Sequence, residues 1–294
     1  GVVGGSTTWG SWVSNEETIP NNIERLLRSK NTSSKTIMVY NLGIEGANLN
    51  LERQIAEKLH PIVLFDQLIF YDGVNDFPAD YLAWRMDGRE NIRVEQEVSG
   101  EKTISKEGQL SPVLDEMLDG KTAKQPFNPL VRSANWATRL TVKLADFEIV
   151  QSLRYLVRRG QLMTVKWSEP GLDDVLASEL TDRSANAYLA QHDKAVQFCK
   201  KNQLRCDFII QPFMGHKPLR TSAEARIYGW LLERTPDYGR QYDAVAKMVL
   251  AGRRDIWDLR DAVIGERGDV FSDTAHMTKL GNRIIAETIV DRLW

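Results

Sequence analysis

Short apolar runs of strand length alternate along this chain with longer stretches whose apolar positions recur at helical spacing. Val2 and Val3 lead into a Gly-rich turn. Residues 37–40 read as a strand that ends in Asn41-Leu42-Gly43. Residues 67–71 form a second apolar run, stopped by Asp72-Gly73. Residues 208–210 follow the same pattern and stop at Pro212, and 255–259 carry the faintest strand signal. Uniformly apolar runs of this length suit strands buried on both faces, as in a parallel sheet covered by helices.

Helical spacing fills the gaps. It runs through 22–29 and through 48–59, where Leu49, Leu51, Ile55 and Leu59 share a face before Pro61. It continues through 173–200 and through 223–251, with a break expected near Pro236. An amphipathic helix over 278–293 closes the chain. This alternation predicts a three-layer α/β/α sandwich around a doubly wound, flavodoxin-like parallel sheet. The expected organisation is a single domain over 1–294, with an insertion or cap at about 78–141 after the third strand. That stretch is polar, contains Gly88, Gly100, Gly108 and Gly120, and holds no sustained period.

Charge narrows the partners. Lys+Arg 38 against Asp+Glu 40 leaves a formal net charge of −2, so no electrostatic footprint for nucleic acid or an anionic membrane is expected. No apolar run approaches the ~20 residues of a membrane-spanning helix. The chain starts at Gly1 without a Met or a basic leader, which reads as an excised soluble region of a longer, exported or membrane-tethered protein. An extracytoplasmic location is the corresponding expectation. Cys199 and Cys206 flank a helix-to-strand connection and read as two small buried thiols; a single disulfide in an exported protein is the alternative.

In an open parallel sheet the ligand crevice lies at the carboxyl ends of the strands. Four loops expected there carry reactive groups: Gly4-Gly5-Ser6-Thr7-Thr8-Trp9-Gly10, Asn41-Leu42-Gly43-Ile44-Glu45-Gly46, Asp72-Gly73-Val74-Asn75-Asp76 and Asp273-Thr274-Ala275-His276. The first has neither Walker A nor G-x-G-x-x-G spacing, and Thr8 stands where a nucleophile elbow needs Gly. A serine hydroxyl needs an adjacent base, and a His base needs an acceptor on its second nitrogen. Asp273, three residues before His276, can supply that acceptor by a local bend; read alone, Asp-x-x-His is more readily a helix-entry cap. Acyl transfer further needs donors for an oxyanion, and the Ser6 N–H, the Gly46 N–H and the Asn75 side chain are candidates. Turn chemistry is the plainer reading of Gly46 and Asn75.

Taken in order, GGSTTWG, NLGIEG, YDGVND and DTAH resemble the blocks of the SGNH hydrolases, also called the GDSL esterase/lipase family. The four family letters fall on Ser6, Gly46, Asn75 and His276, and Asp273 matches the acidic partner. The stretch after His276, Thr278 to Ala286, is similar to the family's helix entry. The first block has Gly-Gly-Ser in place of the more usual Gly-Asp-Ser, the insertion after Asn75 is larger than in the minimal fold, and Gly43 competes with Gly46 for the oxyanion role.

The resemblance implies a carboxylic ester hydrolase working through Ser6, His276 and Asp273 by an acyl-enzyme, with Ser6, Gly46 and Asn75 as the oxyanion hole. It needs no cofactor and no metal, in keeping with the lack of HExxH or clustered Cys/His. The expected substrate is an O-acyl ester, O-acetyl first, on a carbohydrate. Alternatives are an O-acyltransferase to a glycan hydroxyl, a lipase or thioesterase with the insertion as lid, a glycan-binding module retaining the fold, and nucleotide binding at Gly4-Gly5. Trp9 and His216 are the candidate substrate contacts, with Trp12, Trp84 and Trp136 as further aromatic faces. Trp230 and Trp294 are expected in the core. His60 and His192 are expected to be structural or solvated.

Overall fold

The computed structural model describes residues 1–31, 36–87 and 172–294. Within them the elements run β1 (Val2–Gly4), α1 (Ser6–Trp9), α2 (Ile19–Lys30), β2 (Asn41–Gly43), α3 (Leu49–Val63), β3 (Gln67–Asp72), α4 (Ala79–Asp87), α5 (Asp174–Lys201), β4 (Arg205–Ile210), α6 (Ser222–Arg234), α7 (Tyr238–Leu250), β5 (Ile256–Asp258) and α8 (Lys279–Leu293). The five strands form one sheet in the order β2-β1-β3-β4-β5, and every pairing is parallel. This is the flavodoxin-like order, in which the chain reverses winding direction beside β1 and leaves a crevice at the strand ends.

Side-chain alternation explains the three layers. Val3, Leu68, Phe70, Phe208 and Ile210 point to one face and pack on α3, α5 and α7. Val2, Ile69, Tyr71 and Ile209 point to the other, where α2 and α8 bring Ile19, Ile23, Ile285 and Ile289. Both faces are dry, which is why these strands read as uniformly apolar. Phe70 stacks on Phe208 across the β3–β4 ladder with ring centroids 4.8 Å apart. Burying one aromatic ring of this kind contributes about 1.5–3 kcal/mol.

Several sequence expectations shift. The run 37–40 lies ahead of β2, whose ladder pairs Asn41–Gly43 with Val2–Gly4, so the paired segment starts where β1 offers partners. Helix α3 continues through Pro61 to Val63 instead of stopping at 59. Pro61 falls in the last turn, and Leu64, at φ 54°, closes the helix with its N–H on His60 O. The expected break at Pro236 separates α6 from α7. The insertion expected at about 78–141 begins with a helix, α4; the rest of it, Trp136 included, lies outside the described residues.

The cysteines correct the thiol reading. Cys199 and Cys206 form a disulfide, and no free cysteine remains. It staples the last turn of α5 to β4, two elements that the short connection already holds close. Trp230 and Trp294 are not core residues. They are about half exposed, each beneath an arginine, Arg234 and Arg205 respectively. One face of each indole meets a guanidinium in place of apolar packing. Trp84 is the reverse case: it is buried beside Tyr81 in the core, away from solvent.

Candidate active site

Strand β1 ends at Gly4, and the chain turns through extended Gly5 straight into α1, whose first residue is Ser6. The hydroxyl of Ser6 therefore stands at the carboxyl edge of a central strand. Two further loops reach the same edge. The turn after β2 is closed by the Ile44 N–H on Gly4 O (2.9 Å) and the Ala47 N–H on Ile44 O (3.0 Å). It carries Gly46 at φ 72°, a conformation that favours a residue without Cβ. The turn after β3 carries Asn75, whose side-chain amide donates to Ala47 O at 2.7 Å. Among the described residues, no protein acceptor takes the N–H of Ser6 or of Gly46. The second proton of the Asn75 amide is likewise left over from its single bond.

Gly43 has a different task. Its N–H is taken by Asn41 Oδ1 at 3.0 Å, and a Cβ there would stand 2.2 Å from Trp9 N. It permits close packing of β2 on α1, whereas Gly46 presents a free amide.

The fourth loop arrives from the far end of the sequence as a hairpin. Thr278 N–H donates to Val270 O and Ser272 N–H to His276 O, both at 2.8 Å, around a Phe271–Met277 bridge. At its tip Asp273 Oδ1 accepts the N–H groups of Ala275 (2.9 Å) and His276 (2.8 Å). Its Oδ2 lies 2.7 Å from His276 Nδ1. Burial alone would raise the Asp273 carboxyl, but His276 and these two amides overcome it and hold the group below its ordinary value. An ionised carboxylate accepts only, so His276 Nδ1 carries the proton. Nε2 then presents its lone pair to Ser6 Oγ, 2.7 Å away. Such a chain can deprotonate a hydroxyl as it attacks an electrophile.

Buried carboxyls behind the Asn75 turn escaped the sequence reading. Glu52, Asp72 and Asp76 gather there with Tyr188, whose hydroxyl lies 3.4 Å from Asp72 Oδ2. Asp76 Oδ1 accepts the Leu49 N–H at 3.1 Å, tying the β3 turn to the start of α3. Burial pushes all three carboxyls up; Asp72 reaches about 6, and the Asp72 charge raises Glu52 and Asp76 further. The available signal was Glu52 itself, a carboxylate on the apolar stripe between Leu49 and Ile55. Among the described residues no group of His, Cys, Asp and Glu is arranged to hold a metal ion.

His216 is drawn into the fold. Its Nδ1 accepts the Phe213 N–H at 3.1 Å and its Nε2 faces Asp243 at 3.0 Å, so both ring nitrogens are occupied. Trp9 is half-buried in α1 and its carbonyl accepts from Asn41 Nδ2 at 3.3 Å. Trp12, at φ 81°, is 54% exposed. His192 is fully buried against Phe208.

No family model matches the chain, and comparison with curated proteins finds no match. Among solved structures, one of an acetyl xylan esterase aligns with 100% of this chain and 98% of its own, at 13% identity and a TM-score of 0.45. Among the described residues no helix is long and apolar enough to cross a membrane.

Proposed function

We propose that this chain is a serine esterase of the SGNH type, acting on O-acyl esters. The observation that carries the reading is the linked pair of 2.7 Å contacts, Ser6 Oγ to His276 Nε2, 270 positions apart, and His276 Nδ1 to Asp273 Oδ2. In the proposed reaction Ser6 Oγ attacks the ester carbonyl carbon while His276 Nε2 takes the hydroxyl proton. Asp273 holds the tautomer and stabilises the imidazolium. The Ser6 and Gly46 amides and the free proton of Asn75 receive the developing oxyanion. Collapse of the tetrahedral adduct breaks the bond to the alcohol, which leaves with the proton from His276. Water, deprotonated by His276, then releases the carboxylic acid and restores Ser6. No step requires a metal or an organic cofactor.

The alcohol side of the substrate is proposed to be a carbohydrate and the acyl group acetyl. Trp9 immediately after the nucleophile and the exposed face of Trp12 support this, since indole rings stack on sugar faces. His216, with both nitrogens engaged, is left out of the substrate contacts.

Purified protein is expected to hydrolyse p-nitrophenyl acetate and to be labelled covalently by a fluorophosphonate, with both activities lost in Ser6→Ala. Equal background rates in the two proteins would overturn the proposal. Transfer of acetyl to an added glycan would redirect it to an acyltransferase, and rates rising with acyl length would redirect it to a lipase or thioesterase.

A further inference from the structure

The hairpin that carries Asp273 and His276 is gripped from outside by one buried carboxylate. Glu224, in the first turn of α6, is fully buried. Its Oε1 accepts the N–H groups of Val270 (2.8 Å) and Phe271 (3.1 Å), which lie on the hairpin strand opposite His276. Its Oε2 accepts the Thr221 N–H at 3.0 Å and a short bond from Lys217 Nζ. Lys217 is also fully buried, and its ammonium reaches Leu219 O at 2.8 Å. Burial alone would raise the Glu224 carboxyl, but these four donors hold it below its ordinary value.

This grip is costly to build. Two charges have left water, and a buried ion pair of this kind seldom stabilises a fold more than apolar side chains would. What the pair does supply is direction. The strand at 270–271 is laterally fixed by a carboxylate whose own orientation is set by Lys217 and the Thr221 cap. The hairpin tip is held separately, by the Met214 N–H on Thr274 O at 2.9 Å. The Glu224 grip and the Met214 bond are made from one continuous segment, 214–224. The same segment is anchored by Arg220, whose guanidinium donates to Met214 O (3.2 Å) and Gly215 O (2.8 Å).

We propose that Glu224, charge-matched by Lys217, is a positioning residue that sets the placement of the 270–277 hairpin and so the distance between His276 and Ser6. The inference rests on the serine esterase reading above. It separates the chemistry into three residues that react and one remote pair that aims them.

The test uses the full chain with Glu224→Gln, and with Glu224→Gln combined with Lys217→Met so that no buried ammonium is left unmatched. Both are assayed with p-nitrophenyl acetate below their melting temperatures. A displacement of about 1 Å at the reacting groups costs on the order of 100-fold. The expected result is therefore a fall in kcat of about 10- to 100-fold with KM within about twofold, matched by slower fluorophosphonate labelling. A lowered melting temperature with wild-type kcat would mean that the pair only stabilises the fold, and would overturn the inference while leaving the esterase reading intact. If neither variant folds, hydrogen exchange on the wild-type protein decides. The Val270 and Phe271 amides are expected to exchange as slowly as those of β4, and exchange at open-loop rates would overturn the inference. Wild-type protein that neither hydrolyses ester nor takes the label would overturn the esterase reading, and this inference with it.

Discussion

A methyl group placed on Gly5 would stand 2.4 Å from Asn75 Nδ2 and 3.1 Å from Ala47 O. Three loops from three strands thus meet at a spot that admits no side chain. Gly5→Ala would have to push the Asn75 amide off Ala47 O, although the backbone at Gly5 is one that alanine can adopt.

The expected outcome is that Gly5→Ala and Asn75→Ala lower kcat alike, each by about 10²–10³-fold, the usual cost of one oxyanion donor. The double variant should lose little beyond either single one, because both remove the same interaction. Steady-state kinetics of the three proteins checks this; independent, multiplying losses would contradict it.

Asp273→Asn tests the tautomer argument. An amide can place its NH₂ toward His276 Nδ1, which would move the imidazole proton to Nε2 and turn the lone pair away from Ser6. A drop in kcat of about 10³–10⁴-fold is expected with the fold retained. Labelling of Ser6 by fluorophosphonate should slow in parallel. Near-wild-type labelling would mean that Asp273 serves only the hairpin turn.

The buried carboxyls make stability fall as pH rises. Asp72 titrates at about 6 in the folded chain against an ordinary 3.8, and Glu52 and Asp76 are raised as well. Between those values the folded state keeps a proton on Asp72 that the unfolded chain has released, so unfolding is favoured progressively from 3.8 through about 6, and Glu52 and Asp76 act in the same direction. Asp273, held low, acts in the opposite sense only at more acidic pH. Glu52→Gln removes one of the retained protons. Its melting temperature is expected to decline less than that of wild type as pH rises above the ordinary carboxylate range. Calorimetric curves that run parallel would refute this.

Reducing the Cys199–Cys206 bridge should cost little more than stability. It closes a loop of sequence separation 7, for which chain entropy suggests about 2–3 kcal/mol. Cys199→Ser with Cys206→Ser is expected to lower the unfolding free energy, read from denaturant titration, by that amount and to leave kcat unchanged, since the bridge lies at the amino-terminal end of β4, away from the strand ends that carry Ser6 and Asn75. A comparable loss of activity would show that the bridge also shapes the site.

The alternation of apolar runs and helical stretches determined the layer architecture, because strands covered on both faces must be uniformly apolar and helices covered on one face must be periodic. It also set Ser6 and Asn75 shortly after the apolar runs that form β1 and β3, since turn-forming residues interrupt the runs there. Strand β2 was misplaced because pairing depends on what β1 offers, not on where apolarity peaks. Trp230 and Trp294 lie outside the core, each half exposed with one face on an arginine, and nothing local announces it. Which glycine offers its amide, whether two cysteines join, and what holds the His276 hairpin were decided only in three dimensions. Each depends on a partner distant in sequence or on a geometry that spacing does not specify: Trp9 behind Gly43, Asn75 against Gly5, Glu224 beneath Val270 and Phe271. Periodic burial is written locally along a chain, whereas a hydrogen bond between distant loops exists only once packing has brought both ends together.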